Sequence, residues 1–148
     1  MKKLLLLLLV LPLVAFAQKT PKGVTYDAQI LRIIDGDTVV IAAPFLPAPL
    51  KPELAVRVYG VDTPEKGHRA QCPQEAQRGE AASAFTKNAI ATAAATGGKF
   101  QATLYRWDKF GGRVLGDILV NGQSLRAALI ANGYAREYYG AAKQSWCQ

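Results

Sequence analysis

The residues able to do chemistry are Asp35, Asp37, Asp62 and Glu65 among the acids, and Arg57 and Arg113 among the bases. Asp35 and Asp37 flank Gly36 between two apolar runs, while Asp62 and Glu65 bracket Thr63-Pro64 just beyond another. Asp37 and Asp62 are distant in sequence, yet each sits at a strand end, and a curled sheet brings such ends together. Two hard oxygen donors select a hard cation, and calcium accepts several oxygen ligands including backbone carbonyls, which makes the Thr63 carbonyl a third candidate. Asp35 either holds a cation-bound water from behind Asp37 or simply caps its own turn.

Arginine presents a planar fork of donors that fits phosphate oxygens, and phosphoryl transfer spreads negative charge over those oxygens. Arg57 and Arg113 therefore form a candidate phosphate clamp. Glu65 is placed to orient or deprotonate an attacking water. Taken singly, each acid or arginine is better explained by a surface ion pair. Together they make up the parts for metal-assisted phosphodiester hydrolysis. His68 is the single histidine, which argues against a transition-metal centre and against nuclease designs built on paired histidines.

The first 17 residues read as a secretory signal, with Lys2 and Lys3 ahead of an apolar run from Leu4 to Val14 and small residues at Ala15-Phe16-Ala17. The apolar run is shorter than the roughly 20 residues a spanning helix needs. Export to a periplasm or the medium follows, with no stable membrane association once the signal is removed. Cleavage takes two of the 18 basic residues and none of the 11 acidic ones, so the remaining chain stays basic and suits polyanions. Cys72 and Cys147 are the two cysteines, and in an exported chain they are expected to form a disulfide. The competing soft-metal site of His68, Cys72 and Cys147 falls one ligand short of structural zinc.

The elements that must position these groups follow from local pattern. Residues 18–27 lack periodicity and read as a loosely held lead-in to a domain spanning 28–148. Ala28 to Ile34 and Thr38 to Ile41 form a hairpin across Asp35-Gly36-Asp37. Pro44, Pro47, Pro49 and Pro52 make the following stretch a loop. Leu54 to Val61 is a strand with Leu54, Val56 and Val58 on one face and Arg57 interrupting the other. Gln74 to about Ala95 is a helix whose in-facing positions are expected at Ala81, Ala84, Phe85, Asn88 and Ala89. A second hairpin pairs Lys99–Trp107 with Arg113–Val120, and a short helix over 123–132 stops at Gly133. Strands and helices come in blocks with no parallel-crossover alternation, so the fold class is α+β.

These fragments resemble the staphylococcal nuclease (thermonuclease) family from about Ala28 to Tyr139. The resemblance rests on Asp35-Gly36-Asp37-Thr38, on Arg57 followed by Val61-Asp62-Thr63-Pro64-Glu65, on Ala82-Ser83-Ala84-Phe85-Thr86-Lys87, and on Asp108-Lys109-Phe110 leading through glycine to Arg113. It implies an OB-type five-stranded β-barrel with two to three packed helices. It implies a monomeric endonuclease that cleaves DNA and RNA and leaves 3′-phosphate ends. Calcium would be bound by Asp37, Asp62 and the Thr63 carbonyl; Glu65 would be the general base, and Arg57 and Arg113 would stabilise the transition state.

Lys109, Phe110 and Tyr139 are implied substrate contacts. Phe110 stands where the family prototype carries tyrosine, so it can stack on a base but cannot hydrogen-bond a phosphate. Gly111-Gly112 adds a glycine before Arg113, which bears on that arginine's reach. The long C-terminal helix of the prototype is expected to be shortened or absent, with Cys147 fixing the tail in its place. Catalytically silent relatives bind nucleic acids, so a non-catalytic OB-fold nucleic-acid-binding module is the alternative; the retained Glu65 separates the two.

Overall fold

The computed structural model describes residues 21–147. The expected signal segment lies outside them. The chain enters as β1 (Val24–Asp27) and, after Ala28 and Gln29, continues as β2 (Ile30–Asp35). Gly36-Asp37 then turns it into β3 (Thr38–Ala42). A proline-rich loop leads to β4 (Glu53–Val58), and the strand expected to run on to Val61 breaks at Tyr59-Gly60 before the short β5 (Val61–Asp62).

A 3-10 turn (Gly67–Arg69) precedes α1 (Pro73–Ala95), which starts with Pro73 at its first position and Cys72 as its N-cap. The second hairpin is β6 (Phe100–Trp107) with β7 (Arg113–Val120), followed by β8 (Gln123–Ser124), α2 (Leu125–Ala131) and β9 (Arg136–Glu137). Ser124 caps α2 by accepting from the Ala127 amide at 3.1 Å.

The main sheet runs β1-β6-β7-β4-β3-β2, with β4 and β7 parallel and the other neighbours antiparallel. Its two end members, β1 and β2, are consecutive in the chain. One bent segment therefore pairs at its start with β6 and at its end with β3, which gives the five-strand path of an OB-like α+β fold. Among the described residues no ladder joins β1 to β2 directly.

The core lies inside this curved sheet and under the helices. Val39, Val56, Ile118, Leu125 and Leu129 are fully enclosed, with Ile41, Leu54, Val58, Val114 and Ile90 around them. On β4 the alternation is as expected: Leu54, Val56 and Val58 face the core and Arg57 does not.

Two expectations are corrected. Val24–Asp27, placed in a loose lead-in, is a strand whose partners Gln101 to Leu104 lie some eighty positions downstream, so no local pattern marks it. The inward face of α1 is also different. Glu75, Gly79, Ala82, Ser83, Thr86, Ile90 and Ala93 are buried, whereas Ala81 and Ala84 are exposed. That face is small and polar because it rests on two loops as well as on the sheet, so an apolar-periodicity reading rotates the helix the wrong way.

Candidate active site

Helix α1 holds the two acidic segments in place. The Gly36 carbonyl accepts from Thr86 Oγ1 at 2.7 Å, and Gly36 is itself packed against Ala82. Further up the helix, a side chain on Gly79 would run into the Glu65 carbonyl, so only glycine lets the Asp62–Glu65 segment lie this close. Glu75, buried in the first turn, accepts from the amides of Glu65 at 3.2 Å and Gln71 at 2.7 Å. Buried Glu75 and Thr86 are thus used to fix the loops.

Asp37 is 1% exposed and is the electrostatic centre of the site. Its Oδ1 accepts from Arg57 NH1 at 2.7 Å and from Thr38 Oγ1 at 3.0 Å; its Oδ2 accepts from Thr63 Oγ1 at 2.8 Å. Burial pushes its pKa up to about 6, with the Asp35 charge adding to the rise and Arg57 and the Thr63 hydroxyl opposing it. Asp35 receives the Asp37 amide at 3.3 Å, which is turn capping, and lies 3.7 Å from Arg69.

Arg57 and Arg113 come from neighbouring parallel strands, with Ala55 opposite Arg113 and Arg57 opposite Leu115, so both project from the same face. Each is oriented by one acid: Arg57 by Asp37, and Arg113 by Asp108, whose Oδ2 is 2.6 Å from Arg113 Nε. The extra glycine is absorbed within the turn, where Gly112 takes φ +83° and the Asp108 amide bonds the Arg113 carbonyl at 3.0 Å. Arg113 therefore reaches the site despite the insertion.

A cleft of about 700 Å³ is lined by Asp35, Asp37, Arg57, Thr63, Glu65, Lys109, Phe110, Arg113 and Tyr139. Every residue expected in catalysis or substrate contact is on its wall. Glu65 is 39% exposed on its side chain, 3.4 Å from Arg69 Nε, and so is open to water. Phe110, 59% exposed, has the Lys109 ammonium and the Arg113 guanidinium over its ring at 5.2 and 5.3 Å. Tyr139 is held by Arg126, which donates to its hydroxyl, and packs edge-on against Tyr59.

Asp62 departs from expectation. It is buried, but it is not among the residues lining the cleft. Its Oδ2 accepts from Trp146 Nε1 at 3.0 Å, and its Oδ1 has Lys143 Nζ at 2.6 Å, an ion pair without hydrogen-bond alignment. Among the described residues Asp62 is linked to Asp37 through its neighbour Thr63. Among the described residues no group of three or more His, Cys, Asp or Glu side chains gathers as a ligand set. The donor set is still all oxygen, and Asp62 Oδ1, which draws an ammonium ion to it, suits a cation.

Cys72 and Cys147 form a disulfide across 75 residues, with Cα atoms 5.9 Å apart. This removes both thiolates from the alternative metal site, and His68 is exposed. Among the described residues no helix follows Glu137, so the bridge does fasten a non-helical tail. Sequence reasoning missed Arg69, Arg106, Trp107 and Lys143 on the cleft wall and Trp146 behind it. Arg106 and Trp107 carried a signal, since they directly precede Asp108-Lys109-Phe110. The two tail residues carried none beyond their closeness to Cys147.

The profile described as staphylococcal nuclease homologue matches residues 55–146. The chain belongs to that family. The match starts within β4 and takes in Arg57, Asp62, Thr63, Glu65 and Arg113, while Asp37 precedes it and enters the site through its bonds to Arg57 and Thr63. No curated protein matches the chain. Nuclease-like function on nucleic-acid substrates is what this family membership supports.

Proposed function

We propose that this staphylococcal nuclease homologue is an exported, calcium-dependent endonuclease, acting as a monomer on DNA and RNA and leaving 3′-phosphate ends. The observation that carries the reading is the meeting of Arg57, Glu65 and Arg113 on one cleft wall beside buried Asp37. Calcium would be held by Asp37, Asp62 and the Thr63 carbonyl and would supply Lewis-acid polarisation of the scissile phosphate.

The protein's own groups account for the remainder. Arg57 spends NH1 on Asp37 and Arg113 spends Nε on Asp108, so each guanidinium is pre-aimed yet keeps two nitrogens for phosphate oxygens. Glu65 takes the proton of a water whose oxygen bonds to phosphorus; the bond from phosphorus to the 5′-oxygen breaks, and that oxygen is protonated from solvent. Charge gathers on the phosphate oxygens between the two arginines, where stabilisation acts on the transition state rather than the ground state. Phe110, capped by cations, offers a stacking face for a base.

A second reading, the non-catalytic binding module, draws on the same ion pairs, since both arginines already have carboxylate partners. End-group analysis separates them. With calcium, digestion of a labelled oligonucleotide should yield ends that a polymerase extends only after phosphatase treatment. Binding with no new ends would favour the module.

A further inference from the structure

The segment after Tyr139 plays no part in the reading above, yet it reaches the candidate cation ligand. Trp146 is 7% exposed and donates its indole N–H to Asp62 Oδ2. The Lys143 ammonium stands at Asp62 Oδ1, while its side chain, 48% exposed, lines the cleft. The segment is fastened from several sides. Cys147 is bonded to Cys72, and Arg78 NH1 donates to the Trp146 carbonyl at 3.0 Å. Arg136 NH1 donates to the Ser145 carbonyl at 3.0 Å, and its guanidinium lies 3.7 Å over the Trp146 ring. So much anchoring makes the contact with Asp62 a built feature.

We propose that this disulfide-tied segment is part of the cation site: Trp146 positions Asp62 through Oδ2, and the Lys143 ammonium occupies the metal's place at Oδ1 until calcium displaces it. The proposal rests on the nuclease reading for the identity of the cation. A buried indole has one fixed donor, so it orients the carboxylate as a supporting partner orients a metal ligand. A lysine is a compact charge on a flexible stem, and from a half-exposed position it can swing into the cleft. Two cations drawn to one oxygen repel each other, and the ammonium stands 2.6 Å from Asp62 Oδ1, so the lysine and the metal compete.

The two residues therefore act with opposite sign on calcium affinity. Calorimetric calcium titrations of the disulfide-intact chain and of Lys143→Met and Trp146→Phe test this. Lys143→Met should bind roughly three- to tenfold more tightly. Trp146→Phe keeps the ring against Arg136 but loses the donor; it should bind about tenfold more weakly, with a calcium-free Tm lowered because a buried carboxylate oxygen loses its partner. Lys143→Met changes a half-exposed side chain, so it remains informative even if the tryptophan variant folds poorly. Affinity that is unchanged or weaker in Lys143→Met, in a parent that binds calcium, overturns the tail proposal and leaves the nuclease reading standing. No calcium binding by the parent or by Lys143→Met overturns the cation site itself and this proposal with it.

Discussion

Asp37 joins stability to function at the residue scale, because the burial that raises its pKa opposes the charge a cation needs. Its folded value of about 6 lies above the ordinary 3.8, so between those values the folded chain holds more protons than the unfolded one. This group's contribution makes the calcium-free protein less stable as pH rises through that window. Calcium binding requires the carboxylate and changes in the opposite direction. The rise in Tm on adding calcium should therefore be small at pH ~5 and large at pH ~7.5, measured by thermal melting in both buffers. A rise independent of pH would remove Asp37 from the ligand set. Arg57→Ala should abolish most turnover and also destabilise the fold by roughly 3 kcal/mol at neutral pH, because it leaves a buried carboxylate unpaired. Denaturant melts should show that loss shrinking in acid, where Asp37 protonates.

Among the elements, α1 is the part that turns two loops into a site. Gly79→Ala would gain about 1 kcal/mol of helix propensity but force a methyl group onto the Glu65 carbonyl, for a net loss of about 1–2 kcal/mol. The same displacement of Glu65 should cost turnover ~10²-fold, with oligonucleotide binding little changed. Equal activity in Gly79→Ala would show that the helix does not set the position of Glu65. The hairpins, the Asp35-Gly36-Asp37 turn and the Asp62-Thr63-Pro64-Glu65 stop were legible in the sequence because glycine, proline and aspartate act locally on the backbone. The inward face of α1 was not, since Thr86 and Glu75 on it bond to loop groups and the small residues between them leave no continuous apolar stripe. Val24–Asp27 and Arg136–Glu137 were missed because their strands exist only by pairing with distant β6 and β5.

For the whole molecule, the disulfide and the basic charge govern behaviour. Reducing the bridge between Cys72 and Cys147 removes a constraint on a 75-residue separation and frees the tail. The expected loss is about 4 kcal/mol in the chain-entropy account, read as a clear drop in Tm between oxidised and fully reduced protein. The pairing was legible from cysteine count and the export reading. That the bridged tail reaches Asp62 was not, since neither Lys143 nor Trp146 belongs to any local pattern. Among the described residues no helix is long and apolar enough to cross a membrane. The excess of 16 basic over 11 acidic residues beyond position 17 predicts oligonucleotide binding that weakens steeply with added salt, a slope measurable by fluorescence anisotropy.

Hydrolysis of single-stranded DNA by the protein lacking residues 1–17, with calcium and then with excess chelator, and with Glu65→Gln alongside, tests the central claim most directly. The account predicts cleavage that requires calcium and nearly vanishes in Glu65→Gln, while the variant still binds the strand because it keeps both arginines. Parental-rate cleavage by Glu65→Gln, or cleavage unaffected by the chelator, would contradict it.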